Sequence, residues 1–173
     1  MQWIYDREED NSARYTLSPE GQSRLFCFGI NPSTASPEKL DNTVKSVERI
    51  AQRHGYDTFM MLNIYPQRAT DPNDMHIEAD QRLHSLNLFH IENYLKQDTK
   101  RSILAAWGTL INKRPYLKPF LRDIAQMTKK YKCTWYTIGK RSKEGHPHHP
   151  LYLSNSEMMQ EFDISTYLAS IEN

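Results

Sequence analysis

The chain has 173 residues, of which 38% are hydrophobic and 25% are charged, and its formal net charge is +1 at pH 7. This length is enough for a sizeable core, and we expect residues 1–173 to form a single domain. The charge does not favour tight non-specific binding to DNA, which usually needs a clear basic excess. No apolar segment approaches the length of a membrane span, and the polar N-terminus carries no visible secretory signal. We therefore expect a cytoplasmic, monomeric globular protein that does not bind membranes.

The two cysteines, Cys27 and Cys133, both lie inside apolar runs. Buried, reduced thiols are typical of cytosolic proteins, in which disulfides are rare. We therefore favour two free thiols over a disulfide.

Apolar patterns divide the chain into alternating strands and helices. At the N-terminus, residues 3–5 and 13–17 flank a polar turn and predict a hairpin. Short apolar runs then predict four strands, at residues 24–30, 58–64, 102–107 and 133–138. Apolar residues at helical spacing predict helices at residues 44–54, 77–95, 116–130 and 158–167.

This order of elements predicts an α/β fold. Strands that alternate with helices are typical of a mostly parallel sheet covered by helices on both faces. The continuous apolar runs LFCFGI, FMML and ILAAW fit strands that are buried on both sides. We therefore expect a three-layer αβα sandwich with a central, mostly parallel four-stranded sheet.

Each predicted strand is followed by a segment rich in turn residues and polar side chains. In a parallel sheet, the carboxyl ends of all strands meet at one edge, which is where open α/β folds bind their ligands. That edge would hold two asparagines, an arginine, a tryptophan and three histidines. The four segments are residues 29–33, 63–72, 107–108 and 139–152.

Two asparagines stand out at the strand ends, and each has two interpretations. Asn31, taken alone, is best read as a turn residue that bonds its own backbone, and the alternative is an amide that orients a water or a ligand. Asn63 follows the apolar residues 60–62, so its amide is expected to be buried and must be hydrogen-bonded. Its partner is either neighbouring backbone or a planar ligand such as a nucleobase edge.

Other polar residues at these ends are open to structural or functional interpretations. Three histidines at residues 146–149 suggest a metal site, but the prolines restrict the backbone and other ligands lack the spacing. We therefore favour a hydrogen-bonding histidine and expect no metal or cofactor. Arg68 is either a surface ion pair or a phosphate clamp, and Trp107 is a core residue by default. Lys140 and Arg141 are expected in a solvated loop, with a phosphate-facing patch as the alternative.

The motifs together resemble a known family. They are INPSTA at residues 30–35, Asp-x-Thr at 41–43, Asn-x-x-x-x-Arg-Ala-Thr-Asp-Pro at 63–72, AWG at 106–108 and Gly-x-Pro-x-His-Pro-Leu-Tyr at 145–152. On these motifs the chain is identified as a member of the bacterial and phage family called domain of unknown function 1643.

The same segments also resemble the uracil-DNA glycosylase superfamily, especially its mismatch-specific branch. FCFGINPSTA is similar to its first motif, LNIYPQRATDP to its second segment, AAWG to its apolar Trp-Gly strand, and HHPLYL to its His-Pro-Ser-Pro-Leu motif. The motif-bearing core spans about residues 24–153. The resemblance implies a uracil-DNA glycosylase-like fold.

The resemblance also implies roles for individual residues. Asn31 and His149 would be catalytic, with Asn31 positioning the attacking water and His149 donating toward the departing base oxygen. Asn63 would read the base edge, and Leu151 would act as a wedge at the DNA surface. The expected base-binding residues are Asn63, Gly29, Pro32, Ser33 and Trp107. The residues expected to contact nucleic acid or phosphate are Arg68, Thr70, Lys140, Arg141 and Leu151.

The sequence departs from the glycosylase pattern at several points. Ser33 replaces the usual glycine, and Leu151 and Tyr152 replace a Ser-Pro pair in the segment that grips DNA. Two cysteines cannot supply an iron–sulfur cluster. We therefore expect a glycosylase-like protein that flips a base in DNA, single-stranded or modified, and hydrolyses its N-glycosidic bond. The alternatives are a non-catalytic nucleotide or nucleic-acid binding module and an enzyme acting on free nucleotides or nucleosides.

Overall fold

The structure is a computed structural model that describes residues 1–152 and 157–172. The strands within these ranges are β1 (Trp3–Ile4), β2 (Ser18–Pro19), β3 (Arg24–Gly29), β4 (Thr58–Asn63), β5 (Ser102–Ala105), β6 (Thr134–Ile138) and β7 (Met159–Glu161). The α-helices are α1 (Asn42–Arg53), α2 (Gln81–Gln97), α3 (Leu117–Lys130) and α4 (Ile164–Ile171).

The central sheet has five strands in the order β4-β3-β5-β6-β7. The first four strands are parallel, as the sequence predicts, and β7 pairs with β6 in the antiparallel direction. The predicted count of four strands is therefore wrong. The predicted helix at 158–167 is also wrong in its first half, because Met159–Glu161 pairs with β6 and the helix begins only at Ile164. A three-residue edge strand has too few residues to show alternation, and tertiary pairing decides its conformation.

The N-terminal hairpin is confirmed, but its second arm differs from the prediction. Strand β1 pairs with β2, which comprises residues 18–19 rather than 13–17. Residues 13–17 still contact the first arm, where Arg14 forms an antiparallel bridge with Arg7. They also run beside β4 and the segment after it, and Leu17 and Met61 exchange backbone hydrogen bonds of 3.2 and 2.8 Å. This segment therefore extends the wall of the sheet next to the carboxyl end of β4.

Helices cover both faces of the sheet because its strands are apolar on both sides. On β3, Leu25 and Cys27 pack with the apolar side of α1, and Phe26 and Phe28 pack in the core shared with α2, α3 and α4. The helix that links β3 to β4 and the helix that links β4 to β5 therefore lie on opposite faces. The carboxyl ends of β3 and β5 form the point at which the strand order reverses, which is the usual ligand position in open α/β sheets.

Aspartates fix the starts of three helices. Asp41 accepts a hydrogen bond from the Val44 amide at 2.9 Å and begins α1, and Asp80 and Asp163 cap α2 and α4 in the same way. A side-chain acceptor at this position satisfies an amide that has no partner inside the helix. The predicted helix at 77–95 consequently starts later, after Asp80.

Both cysteines are free thiols, as the sequence predicts. Burial raises the pKa of Cys27 to about 12 and that of Cys133 to about 11. Within the described ranges, the helices are too short or too polar to cross a membrane.

Candidate functional site

A cavity of about 160 Å³ lies at the carboxyl edge of the sheet, at the switch point between β3 and β5. An apolar cavity of roughly 150 Å³ accommodates benzene, so this volume suits one six-membered ring. The structure brings together eight residues singled out from the sequence. They are Gly29, Asn31, Pro32, Ser33, Asn63, Thr70, Trp107 and His149.

The Asn63 amide is buried in the cavity wall without a partner for its nitrogen. Asn63 is 2% exposed, and within the described structure its Nδ2 has no hydrogen-bond acceptor. Its backbone is held by Asn87, whose Nδ2 donates to the Asn63 carbonyl oxygen at 2.8 Å. An unpaired buried donor costs about 1–3 kcal/mol. An acceptor supplied by a ligand would remove this cost.

Gly29 makes space for that amide. Strands β3 and β4 place Gly29 directly beside Asn63, and a Cβ atom at position 29 would lie 3.0 Å from Asn63 Oδ1. Any larger residue would press on the amide.

The Asn31 amide has a fixed orientation. Its Nδ2 donates to the carbonyl oxygens of Pro32, Gln67 and Ala69 at 3.0, 3.3 and 2.9 Å. The turn interpretation thus accounts for the amide nitrogen. Oδ1 is then the acceptor that this cavity-lining side chain offers to a water or a ligand.

His149 lines the cavity as a neutral imidazole. Burial, with a smaller contribution from the neighbouring His148, lowers the pKa of His149. The Leu151 amide donates to His149 Nδ1 at 3.3 Å, which assigns the hydrogen of the neutral ring to Nε2. The ring therefore acts as a hydrogen-bond donor through Nε2 without being charged.

A buried network ties the segment before His149 to the sheet and to α4. Trp107 is 1% exposed, and its Nε1 donates to the Tyr167 hydroxyl at 2.9 Å. That hydroxyl also lies 2.8 Å from His146 Nδ1, so it hydrogen-bonds both side chains. Trp107 is thus both a core residue and a cavity wall. Tyr167 had no signal in the sequence, because only the folded chain brings it to residues 107 and 146.

Arg14 is a cavity residue that sequence reasoning missed. It is 2% exposed, and its Nη1 donates to the Ala35 carbonyl oxygen at 3.1 Å. Asp41 and Thr43, at the start of α1, also line the cavity, although their motif did not predict a role in a site. The one sequence feature that could have identified Arg14 is its charge, because it lies inside a run that is otherwise typical of a strand.

Arg68 lies behind the cavity and holds the loop that follows β3. Its guanidinium donates to the Ser33 carbonyl oxygen at 2.7 Å and to the Tyr5 hydroxyl at 2.6 Å, and both terminal nitrogens reach the Ala35 carbonyl oxygen. Ser33 Oγ lies 2.8 Å from Thr70 Oγ1, which joins this loop to the one after β4. Arg68 therefore positions the cavity loop, and a phosphate contact there stays a prediction.

A second groove meets the cavity at His149. Lys140 and Arg141 line this groove together with the histidine-rich segment 146–149. The Arg141 guanidinium also lies 5.5 Å from the centre of the Phe162 ring. Leu151 is 41% exposed and follows this segment in the chain, outside both sets of lining residues. Across the described ranges, His, Cys, Asp and Glu form no group of three or more arranged to hold a metal ion.

The fold and the cavity define a mostly parallel α/β protein with a ligand-sized cavity at its switch point. The family model described as protein of unknown function (DUF1643) matches residues 14–151, and the chain belongs to this family. The matched span runs from Arg14 to Leu151 and so contains each of the described residues that line the cavity. Neither the curated proteins nor the solved structures gave a match to the chain.

Proposed function

We propose that the protein binds a flipped nucleobase in this cavity and hydrolyses the N-glycosidic bond that joins the base to its sugar. The observation that carries this proposal is the buried Asn63 amide, whose nitrogen lacks an acceptor. A carboxamide presents a donor and an acceptor side by side, and this pattern complements the edge of a nucleobase. The cavity volume of about 160 Å³ is consistent with one such ring.

The remaining cavity residues suit the charges that form in this reaction. As the glycosidic bond breaks, its electron pair leaves with the base and positive charge builds on the sugar. A neutral His149 donates through Nε2 to a base oxygen and stabilises the departing anion. Asn31 Oδ1 accepts a hydrogen bond from water, whose oxygen forms the new bond to the sugar carbon. The proton lost by the water passes to solvent, and the base anion takes up a proton in turn.

The groove beside the cavity supports a nucleic-acid substrate. Lys140 and Arg141 place positive charge next to His149, where the backbone flanking a flipped base would run. Leu151 would act as an apolar wedge beside that backbone, because its side chain is 41% exposed. A net charge of +1 does not favour tight binding to any DNA duplex, so a single-stranded or modified DNA is the better substrate candidate.

A cleavage screen tests the proposal. The protein is incubated with single- and double-stranded oligonucleotides that carry uracil, hypoxanthine, mismatched thymine or modified pyrimidines, and alkali then reveals abasic sites. We expect Asn31→Ala and Asn63→Ala to abolish cleavage, while Asn93→Ala, on the exposed side of α2, retains it. Cleavage by Asn63→Ala at the wild-type rate would show that the cavity is not the active site. Binding of oligonucleotides without cleavage of any would leave a binding module as the better description.

A further inference from the structure

The cavity wall holds a second buried donor that lacks an acceptor. Arg14 Nε, like Asn63 Nδ2, is buried and has no hydrogen-bond partner among the described residues. Both side chains are at least nine-tenths buried, and both line the same cavity. One of these donors belongs to a cation, so the cavity suits a ligand that is rich in acceptors and negatively charged.

The charge of Arg14 is poorly compensated within the protein. None of the salt bridges among the described residues includes Arg14. Burial and the nearby charge of Arg68 lower its pKa to about 10, against smaller opposing effects of Asp41 and Tyr5. One carboxylate oxygen of Asp41 already accepts the hydrogen bond that caps α1. Burying a charge without a close partner is unfavourable, so this guanidinium destabilises the empty protein.

We propose that Arg14 is a catalytic residue whose positive charge stabilises the anion that forms on the departing base. This inference rests on the proposed function. The glycosidic electron pair moves onto the base, and the guanidinium donates a hydrogen bond to the resulting anion. The cavity consequently binds an anionic ring more tightly than a neutral ring of the same shape. A ring is a better match than a phosphate group, because Arg14 and Asn63 share one ring-sized cavity.

Arg14→Met is a suitable test because it leaves no backbone group without a partner. The Ala35 carbonyl oxygen loses one donor but keeps the two terminal nitrogens of Arg68, at 3.2 and 3.3 Å. Methionine also fills much of the volume of the arginine stem. Arg122→Met is the matched control, since Arg122 pairs with Glu172 on the surface and does not line the cavity.

The experiment measures the binding of free rings by calorimetry at about pH 7.5, independently of cleavage. The probes are uracil, 5-fluorouracil and 5-nitrouracil, whose acidity rises in that order, so that the last is the anion. We expect the wild type and Arg122→Met to bind 5-nitrouracil about 10- to 100-fold more tightly than uracil, and Arg14→Met to lose this preference. We also expect the melting temperature of empty Arg14→Met to equal or exceed that of the wild type.

Several outcomes overturn the inference. The first is a wild type that binds uracil and 5-nitrouracil equally, and the second is an Arg14→Met variant that keeps the preference for 5-nitrouracil. The third is an Arg14→Met variant that is less stable than the wild type and binds all three probes equally weakly. Tighter binding of inorganic phosphate or thymidine monophosphate than of any ring would assign Arg14 to a phosphate instead. Failure of the wild type to bind any ring counts against the proposed function as well. If Asn63→Ala abolishes ring binding while Arg14→Met keeps the preference, only the inference about Arg14 fails.

Discussion

Gly29 and Asn63 are register partners at the ends of neighbouring parallel strands, and a Cβ atom at Gly29 would lie 3.0 Å from the Asn63 amide oxygen. Because Gly29 has no side chain, the Asn63 side chain on the neighbouring strand can occupy its position. Because the two residues end their strands together, the amide is placed by the sheet itself rather than by a loop. Sites built on sheet or helix residues hold their geometry more precisely than sites built on loops.

Gly29→Ala tests this relationship. The added methyl group must displace the Asn63 amide by a few tenths of an ångström, so we expect nucleobase affinity to fall about tenfold. Overpacking of this kind costs about 1–3 kcal/mol of stability, so the variant should still fold. Calorimetric binding and urea unfolding measure the two effects separately. Unchanged affinity in Gly29→Ala, beside lost affinity in Asn63→Ala, would show that the glycine does not set the amide position.

Truncation of the two buried asparagines of this region should affect stability to different extents. Asn63→Ala removes an amide whose nitrogen has no partner, so we expect the free energy of unfolding to change by less than about 1 kcal/mol while nucleobase binding is lost. Asn87→Ala removes the donor to the Asn63 carbonyl oxygen at 2.8 Å, so we expect a loss of about 1–3 kcal/mol. Urea unfolding of both variants checks this contrast. A larger stability loss in Asn63→Ala than in Asn87→Ala would assign Asn63 a structural role.

Tyr167→Phe should destabilise the protein through the network behind the cavity. Removing the hydroxyl leaves Trp107 Nε1 and His146 Nδ1 without their shared partner, at a cost of about 1–3 kcal/mol. Tyr131→Phe is the control, because the Tyr131 hydroxyl bonds Glu92 near the surface and its loss should matter little. Thermal unfolding of both variants makes the comparison. Equal, small effects would mean that the network contributes little to stability.

Acid should destabilise the fold through the buried His146 and the half-buried His149. Burial lowers the pKa values of His146 and His149, so the unfolded chain binds more protons than the folded chain at mildly acidic pH. Stability is therefore fully present above the ordinary histidine pKa of about 6.5 and is lost as the pH falls through the lowered folded values. Urea unfolding at about pH 7.5 and 5.5 should show a smaller loss in His149→Gln than in the wild type. An equal loss in both proteins would exclude His149 from this effect.

Local patterns predicted the sheet well because its strands are continuous apolar runs. The same reasoning identified Asn31 and Asn63, since each directly follows such a run and parallel strands end at one edge. It missed Arg14, whose place in the cavity depends on the bridges from Ala13 to Gln67 and from Leu17 to Met61, each more than 40 positions along the chain. It also missed β7, which exists only because β6 offers it an edge.

The loops after β3 and β4 are joined before any ligand arrives. The Ala69 amide donates to the Pro32 carbonyl oxygen at 2.9 Å, and the Ala69 carbonyl oxygen accepts from the Asn31 side chain. Arg68 also donates to the Ser33 carbonyl oxygen. Two connecting segments thus behave as one rigid rim around the cavity. A ligand that enters does not have to order either loop, so little of its interaction energy is lost to entropy. The rim is therefore suited to select ligands by shape, because neither loop is free to move and admit a ring that does not fit.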